Sequence, residues 1–293
     1  MTLYFGHAPF LKERDMAIHT ELLGFKTSDN ERLHGLLFTP PERKSDMALI
    51  LVHGVAMNFY LPPLATFGQA LAEADYHCFV INTRGHDWIV RAGNLTKFGG
   101  AAYETFEESL LDLDGAIDCM TQMGYRRFVL VGHSLGCVKA LIYQGTRQRA
   151  DIIGIVSCSC PKQFYSARLE EQPEFKELMA QAERMIADGN EEEFLWAQTS
   201  GSLGIFTART YENKYGRREK NDVRPHAARL GCPHLTLAGG AEHRFFPEYA
   251  KALAEAGNHA ASYRIIPGSN HFYTGHESEI IEIIAGWLKQ FEN

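Results

Sequence analysis

Short apolar runs alternate with longer stretches of helical period along most of the chain. Ala48-Leu49-Ile50-Leu51-Val52 is uninterrupted, and His77 to Ile81, Phe128 to Val131, Ile152 to Ser157, His234 to Ala238 and Tyr263 to Ile266 follow the same habit. Runs of that length, bounded by turn residues, are strands buried on both faces, as in a parallel sheet. Two earlier segments, Ala17 to Lys26 and Arg32 to Phe38, flank the polar turn Thr27-Ser28-Asp29-Asn30-Glu31 and predict a hairpin. Helical spacing fills Leu64 to Ala74, Tyr103 to Met123, the stretch from Val138 onward, and Ser278 to Phe291. Strands alternating with helices predict an α/β fold with a mostly parallel sheet. The first fifteen or so residues lack a period and are expected to form an arm over the surface or over the site.

The pattern changes between about residues 162 and 229. Pro173 to Asp188 and Glu191 to Thr199 read as polar, charged helices, followed by a stretch from Thr207 to Gly216, and no strand is expected there. The expected division is therefore a core of residues 1–161 and 230–293 with an insertion of residues 162–229.

Composition narrows the function. The 293 residues suffice for one large α/β domain with an insertion. A net charge of −7 argues against nucleic acid or an anionic membrane surface as main partner. No apolar run approaches the roughly 20 residues of a membrane span. The start, Met1 to His7, lacks a basic segment followed by an apolar one, so no signal peptide is expected. Six cysteines are scattered, mostly in apolar segments, without zinc spacing. They are expected to be reduced and buried in a cytoplasmic protein. A homodimer is left open.

One stretch carries chemistry. Gly132-His133-Ser134-Leu135-Gly136 joins the apolar run ending at Val131 to the helical pattern that follows. A strand turning into a helix within about five residues bends hard, so the serine at the bend takes strained angles and its neighbours two positions away must be small. The bend lifts the Ser134 hydroxyl to a helix N-terminus, where unpaired N–H groups and a positive partial charge favour a developing oxyanion. At this point the chain resembles the α/β-hydrolase superfamily, the esterase- and lipase-like serine hydrolases.

The resemblance implies an eight-stranded, mostly parallel sheet flanked by helices, with residues 162–229 as a helical cap. It also assigns residues in order along the chain. His53-Gly54 after the third strand marks half of an oxyanion hole, with the N–H groups of Val55 and Leu135 as donors, while His53 ties the loop. His133, inside the motif, is supporting. Asn82-Thr83-Arg84-Gly85-His86 looks like a structural turn of the superfamily, with Asn82 where Asp is usual. Glu242, on the exit of the seventh strand, holds the place of the triad acid, with Asp222 as rival. His271, in the turn after the last strand, holds the place of the base, ahead of His276. Cys158 and Cys160, at the end of the sixth strand, are expected to line the pocket. Cap residues Phe164, Tyr165, Leu195, Trp196, Leu203, Phe206, Tyr211 and Tyr215 are candidates to face substrate, and Arg209 and Lys214 are expected on solvated surface.

The implied activity is hydrolysis of a carboxylic ester of a small to medium, partly apolar molecule through an acyl-enzyme, with no metal or organic cofactor. Amide, lactone or carbon–carbon hydrolysis by the same triad, and ligand binding without turnover, stay open.

Overall fold

The computed structural model describes residues 18–42, 45–91, 97–199, 202–258 and 260–292. The N-terminal arm expected from the sequence lies outside the described residues. Strands β1 (His19–Lys26) and β2 (Arg32–Thr39) form the expected hairpin. After β3 (Met47–Val52) come α1 (Leu64–Glu73), β4 (Cys78–Ile81) and a two-rung ladder, β5 (Val90–Arg91) with β6 (Phe98–Gly99). Next are α2 (Phe106–Gln122), β7 (Arg127–His133), α3 (Leu135–Arg147) and β8 (Ile152–Cys158). The inserted segment holds α4 (Tyr165–Glu171), α5 (Pro173–Ala187), β9 (Phe194–Thr199), β10 (Ser202–Thr207), α6 (Ala208–Tyr215) and α7 (Arg224–Ala227). The chain ends with β11 (His234–Gly239), α8 (Phe245–Ala256), β12 (Ala261–Ile266) and α9 (Glu277–Leu288).

Eight strands form one sheet in the order β1-β2-β4-β3-β7-β8-β11-β12. The β1–β2 and β2–β4 pairs are antiparallel, and every later pair is parallel. The uninterrupted apolar runs have a direct cause. Every residue of β3, β4 and β11 is buried, because helices cover both faces of the sheet. Side chains alternate between those faces. Ala48, Ile50 and Val52 of β3 join a core with Leu113 and Ile117 of α2 and Leu141 of α3. Met47, Leu49 and Leu51 join the opposite core with Phe67 and Leu71 of α1 and Ile280 and Ile284 of α9. Helix α2 starts later than the sequence pattern indicates, because Thr105 and Glu108 close a reciprocal capping box.

The insertion departs from expectation. It is not purely helical: β9 and β10 pair antiparallel, with Leu195 opposite Phe206. Residues 194–199 are a strand rather than the end of a helix. Leu195 and Ala197 point inward while Phe194 and Trp196 are exposed, a period of two. The acidic run Glu191–Glu193, which suggested the start of a helix, precedes the hairpin instead.

Candidate active site

Ser134 stands between β7 and α3 with φ 54° and ψ −124°, a strained conformation for a residue with a side chain. The two glycines of the motif make the bend fit. A Cβ at Gly132 would lie 2.5 Å from the backbone of Gly136 and Cys137, and one at Gly136 only 1.9 Å from the Val52 carbonyl oxygen. The Ser134 N–H donates to the Cys158 carbonyl at 2.9 Å, tying the bend to β8. Leu135 opens α3, in the first turn, whose N–H groups have no partner within the helix.

The loop after β3 passes close by. A Cβ at Gly54 would sit 3.0 Å from Ser134 Cβ and 3.5 Å from its Oγ, so glycine lets the Gly54–Val55 backbone approach the hydroxyl. His53 is fully buried, and burial next to Lys139 pushes its ring down to about 3, so it is neutral. Its Nε2 accepts the Thr83 N–H at 3.0 Å, which leaves the ring proton on Nδ1, donated to the Gly54 carbonyl at 2.7 Å. His53 therefore ties the Gly54 loop to Thr83.

His271 follows β12 in a turn, and its Nδ1 lies 2.6 Å from Glu242 Oε1. The Glu242 side chain is 1% exposed. Its second oxygen accepts the Gly239 N–H at 2.6 Å and the Ser159 hydroxyl at 2.7 Å. The Ser159 proton is thus committed, so Tyr273 donates its own hydroxyl to Ser159 Oγ, at 2.7 Å. Both Ser159 and Tyr273 take positive φ, 56° and 58°. Burial holds the Tyr273 phenol well above its ordinary range. His133 bridges the two halves: its Nε2 donates to the His271 carbonyl at 2.8 Å, and the two rings lie 4.9 Å apart. Burial, with His271 nearby, lowers His133 to about 3.

The structure thus sets His53 and Gly54, with Val55 next in the chain, beside Ser134 and Leu135, holds His271 on Glu242, and links the two groups through His133. It does not bring in the rivals. Asp222 bonds Arg224 and Tyr249, and His276 pairs with Glu279 at the start of α9. Cys137, Cys158 and Cys160 are buried free thiols. Burial drives Cys137 and Cys158 far above the ordinary thiol range, away from the reactive thiolate. Sequence reasoning missed Ser159 as a partner of Glu242 and Tyr273 as the donor behind Ser159. The only signal was the placement of Ser159 at the end of β8.

Among the insertion's aromatic residues, Phe206, Tyr211 and Tyr215 cluster with Leu195 and Phe175, and Val55 and Trp88 pack against that cluster. Phe164 belongs to the main core, whereas Trp196 and Leu203 face outward. Lys214 is buried rather than solvated, because it pairs with the buried Glu104. Arg209 pairs with Glu192 on the surface. A cavity of about 470 Å³ lies elsewhere, beside Arg84, His86, Gly100 and Tyr103, and neither Ser134 nor His271 lines it. Among the described residues, no cluster of three His, Cys, Asp or Glu could hold a metal ion. Nor is any described helix long and apolar enough to cross a membrane.

Comparison with known proteins agrees with the fold. Many solved structures match, and three of those that match at full probability are the following. The hydrolase GrgF from Penicillium sp. sh18 has a TM-score of 0.68 at 16% identity, over 93% of this chain and 98% of that one. Est1E from Butyrivibrio proteoclasticus, solved with ferulic acid bound, has a TM-score of 0.66 at 16% identity, over 91% and 98%. The monoacylglycerol lipase of Paleococcus ferrophilus has a TM-score of 0.61 at 17% identity, over 93% and 100%. No curated protein matches the sequence. The profile of the alpha/beta hydrolase family matches residues 49–283, and the chain belongs to that family.

Proposed function

We propose that the protein is a serine hydrolase that cleaves a carboxylic ester of a small to medium, partly apolar molecule. The observation that carries this is a histidine held 2.6 Å from a buried glutamate and tied through its carbonyl to His133, the residue before a strained serine at a helix N-terminus. A free hydroxyl is a weak nucleophile at neutral pH and needs an adjacent base. With Nδ1 occupied by Glu242, His271 presents Nε2 as that base. Glu242 keeps the ring in the required tautomer and stabilises its charged form. Ser134 attacks the acyl carbon, the N–H groups of Val55 and Leu135 hold the oxyanion, and water releases the acyl-enzyme. The step requires no cofactor.

Residues 162–229 act as the cap of a core formed by 1–161 and 230–293. Val55 and Trp88 packing against the aromatic cluster supports this, since it sets apolar side chains of the insertion against an oxyanion residue. An apolar acyl or aromatic group suits that surface, and the esterase and lipase among the structural neighbours are consistent with it.

The test is a panel of chromogenic esters of graded acyl length, with matched amides and lactones. Ester turnover lost in Ser134→Ala, with the fold retained, is expected. Turnover that persists in Ser134→Ala overturns the assignment of the nucleophile.

A further inference from the structure

Three charged side chains meet in the interior behind the oxyanion loop. Lys139 comes from α3, Glu104 from the turn before α2, and Lys214 from α6 of the insertion. All three side chains are at most 1% exposed. Lys139 Nζ lies 2.5 Å from Glu104 Oε1, and Lys214 Nζ lies 3.1 Å from Oε2 and 3.2 Å from the Ala101 carbonyl. The carboxylate is pressed against the chain, since a Cβ at Gly85 would overlap it at 2.1 to 2.3 Å. Two cations on one anion are an expensive way to fill a core: desolvating charges costs about as much as their attraction returns, and apolar residues often serve as well. Such a group calls for a role beyond stability.

Its contacts lead to the oxyanion loop. Lys139 donates to the Thr83 hydroxyl at 2.8 Å, and that hydroxyl donates to Glu104 at 3.2 Å. The Thr83 backbone N–H holds His53 Nε2, and His53 Nδ1–H holds the Gly54 carbonyl. That carbonyl and the Val55 N–H belong to one planar trans peptide and point in opposite directions. Fixing the carbonyl therefore aims the N–H.

We propose that Lys214, a residue of the insertion, is a positioning residue for the oxyanion donor: through Glu104, Lys139 and Thr83 it holds the His53 ring that aims the Val55 N–H. The donor's role rests on the hydrolase function proposed above. Without Lys214, Glu104 Oε2 is left buried without its cation. The carboxylate turns toward Lys139, the Thr83 hydroxyl that lies 3.2 Å from His53 Nε2 turns with it, and the ring shifts in its seat. The insertion would then set the catalytic geometry of the core as well as cover it.

The test uses the full chain labelled with ¹⁵N, with His53 ring nitrogens assigned by His53→Gln and the Val55 amide followed in the same samples. Lys214→Met keeps the side-chain length and leaves a neutral Lys139–Glu104 pair. The wild type should show His53 as one tautomer, protonated on Nδ1. In Lys214→Met the His53 Nε2 signal and the Val55 amide should both shift from their wild-type positions. On the best ester, kcat should fall about tenfold with KM within about twofold, less than the loss for deleting an oxyanion donor outright. If Lys214→Met does not fold, Lys139→Met decides by the same signals. A folded variant with unmoved His53 and Val55 signals overturns the proposal. A wild type that turns over no ester overturns the hydrolase function instead, and the ring and amide signals still decide the role of Lys214.

Discussion

Replacing Ser159 by alanine isolates the support beneath Glu242. Its hydroxyl accepts from Tyr273 and donates to Glu242 Oε2, each at 2.7 Å. Ser159→Ala strips one donor from a buried carboxylate and leaves the buried Tyr273 phenol without its near acceptor. Buried groups deprived of a partner cost about 1–3 kcal/mol each, so the expected loss is about 3 kcal/mol. At about 2 °C per kcal/mol for a chain of this size, Tm should fall by about 6 °C. Catalysis should fall as well, because the carboxylate that orients His271 loses one of the bonds that anchor it, and a drop in kcat/KM of about tenfold is expected. Tyr273→Phe, which leaves the Ser159–Glu242 bond in place, should cost about 1 kcal/mol. Urea unfolding and kcat/KM on one ester measure both effects. A loss under 1 kcal/mol with unchanged kcat/KM would refute the linkage. Destabilisation with unchanged kcat/KM would detach Glu242 from the base.

Other consequences follow from packing and burial. Gly136→Ala, whose Cβ would meet the Val52 carbonyl at 1.9 Å, should cost at least about 3 kcal/mol. Gly286→Ala, on an open face of α9, should be neutral or stabilising by up to about 1 kcal/mol. Urea unfolding of the pair checks the packing of the bend, and equal stabilities would contradict it. His53, His133 and His234 are each held near about 3 by burial, below the ordinary histidine value of 6.5. The unfolded chain then binds protons that the folded chain refuses, so stability is lost as pH falls below about 6.5 and continues to fall toward about 3. At pH 5.5 the three should together remove about 4 kcal/mol relative to pH 7.5, and His234→Gln should reduce that to about 3 kcal/mol. Identical losses in the two proteins would count against a neutral, buried His234.

The sheet was legible because burial on both faces forces uninterrupted apolar runs, and β3, β4, β7, β8 and β11 fall where those runs lie. The bend at Ser134 was legible because Gly132 and Gly136 are local requirements of its geometry. Glu242 and His271 could be placed by their positions after the seventh and last strands. The hairpin of β9 and β10 was hidden by large apolar residues on both of its faces, with Phe194 and Trp196 outward beside Leu195 inward, which obscures the alternation. Ser159 and Tyr273 were invisible for a different reason. They come together only because β8, β11 and the turn after β12 converge at one edge of the sheet, which no local window contains. Glu104, Lys139 and Lys214 are distant in sequence, and each alone resembles a solvated charge. Only the fold supplies the partners that let them be buried.

The central claim is that Ser134 is activated by His271. The most direct measurement is covalent labelling of the intact protein by a fluorophosphonate probe, read by mass and then by the modified peptide. A single adduct on Ser134, lost in folded His271→Ala, is the predicted result. No adduct on the folded wild type, or an adduct that survives His271→Ala unchanged, would contradict it.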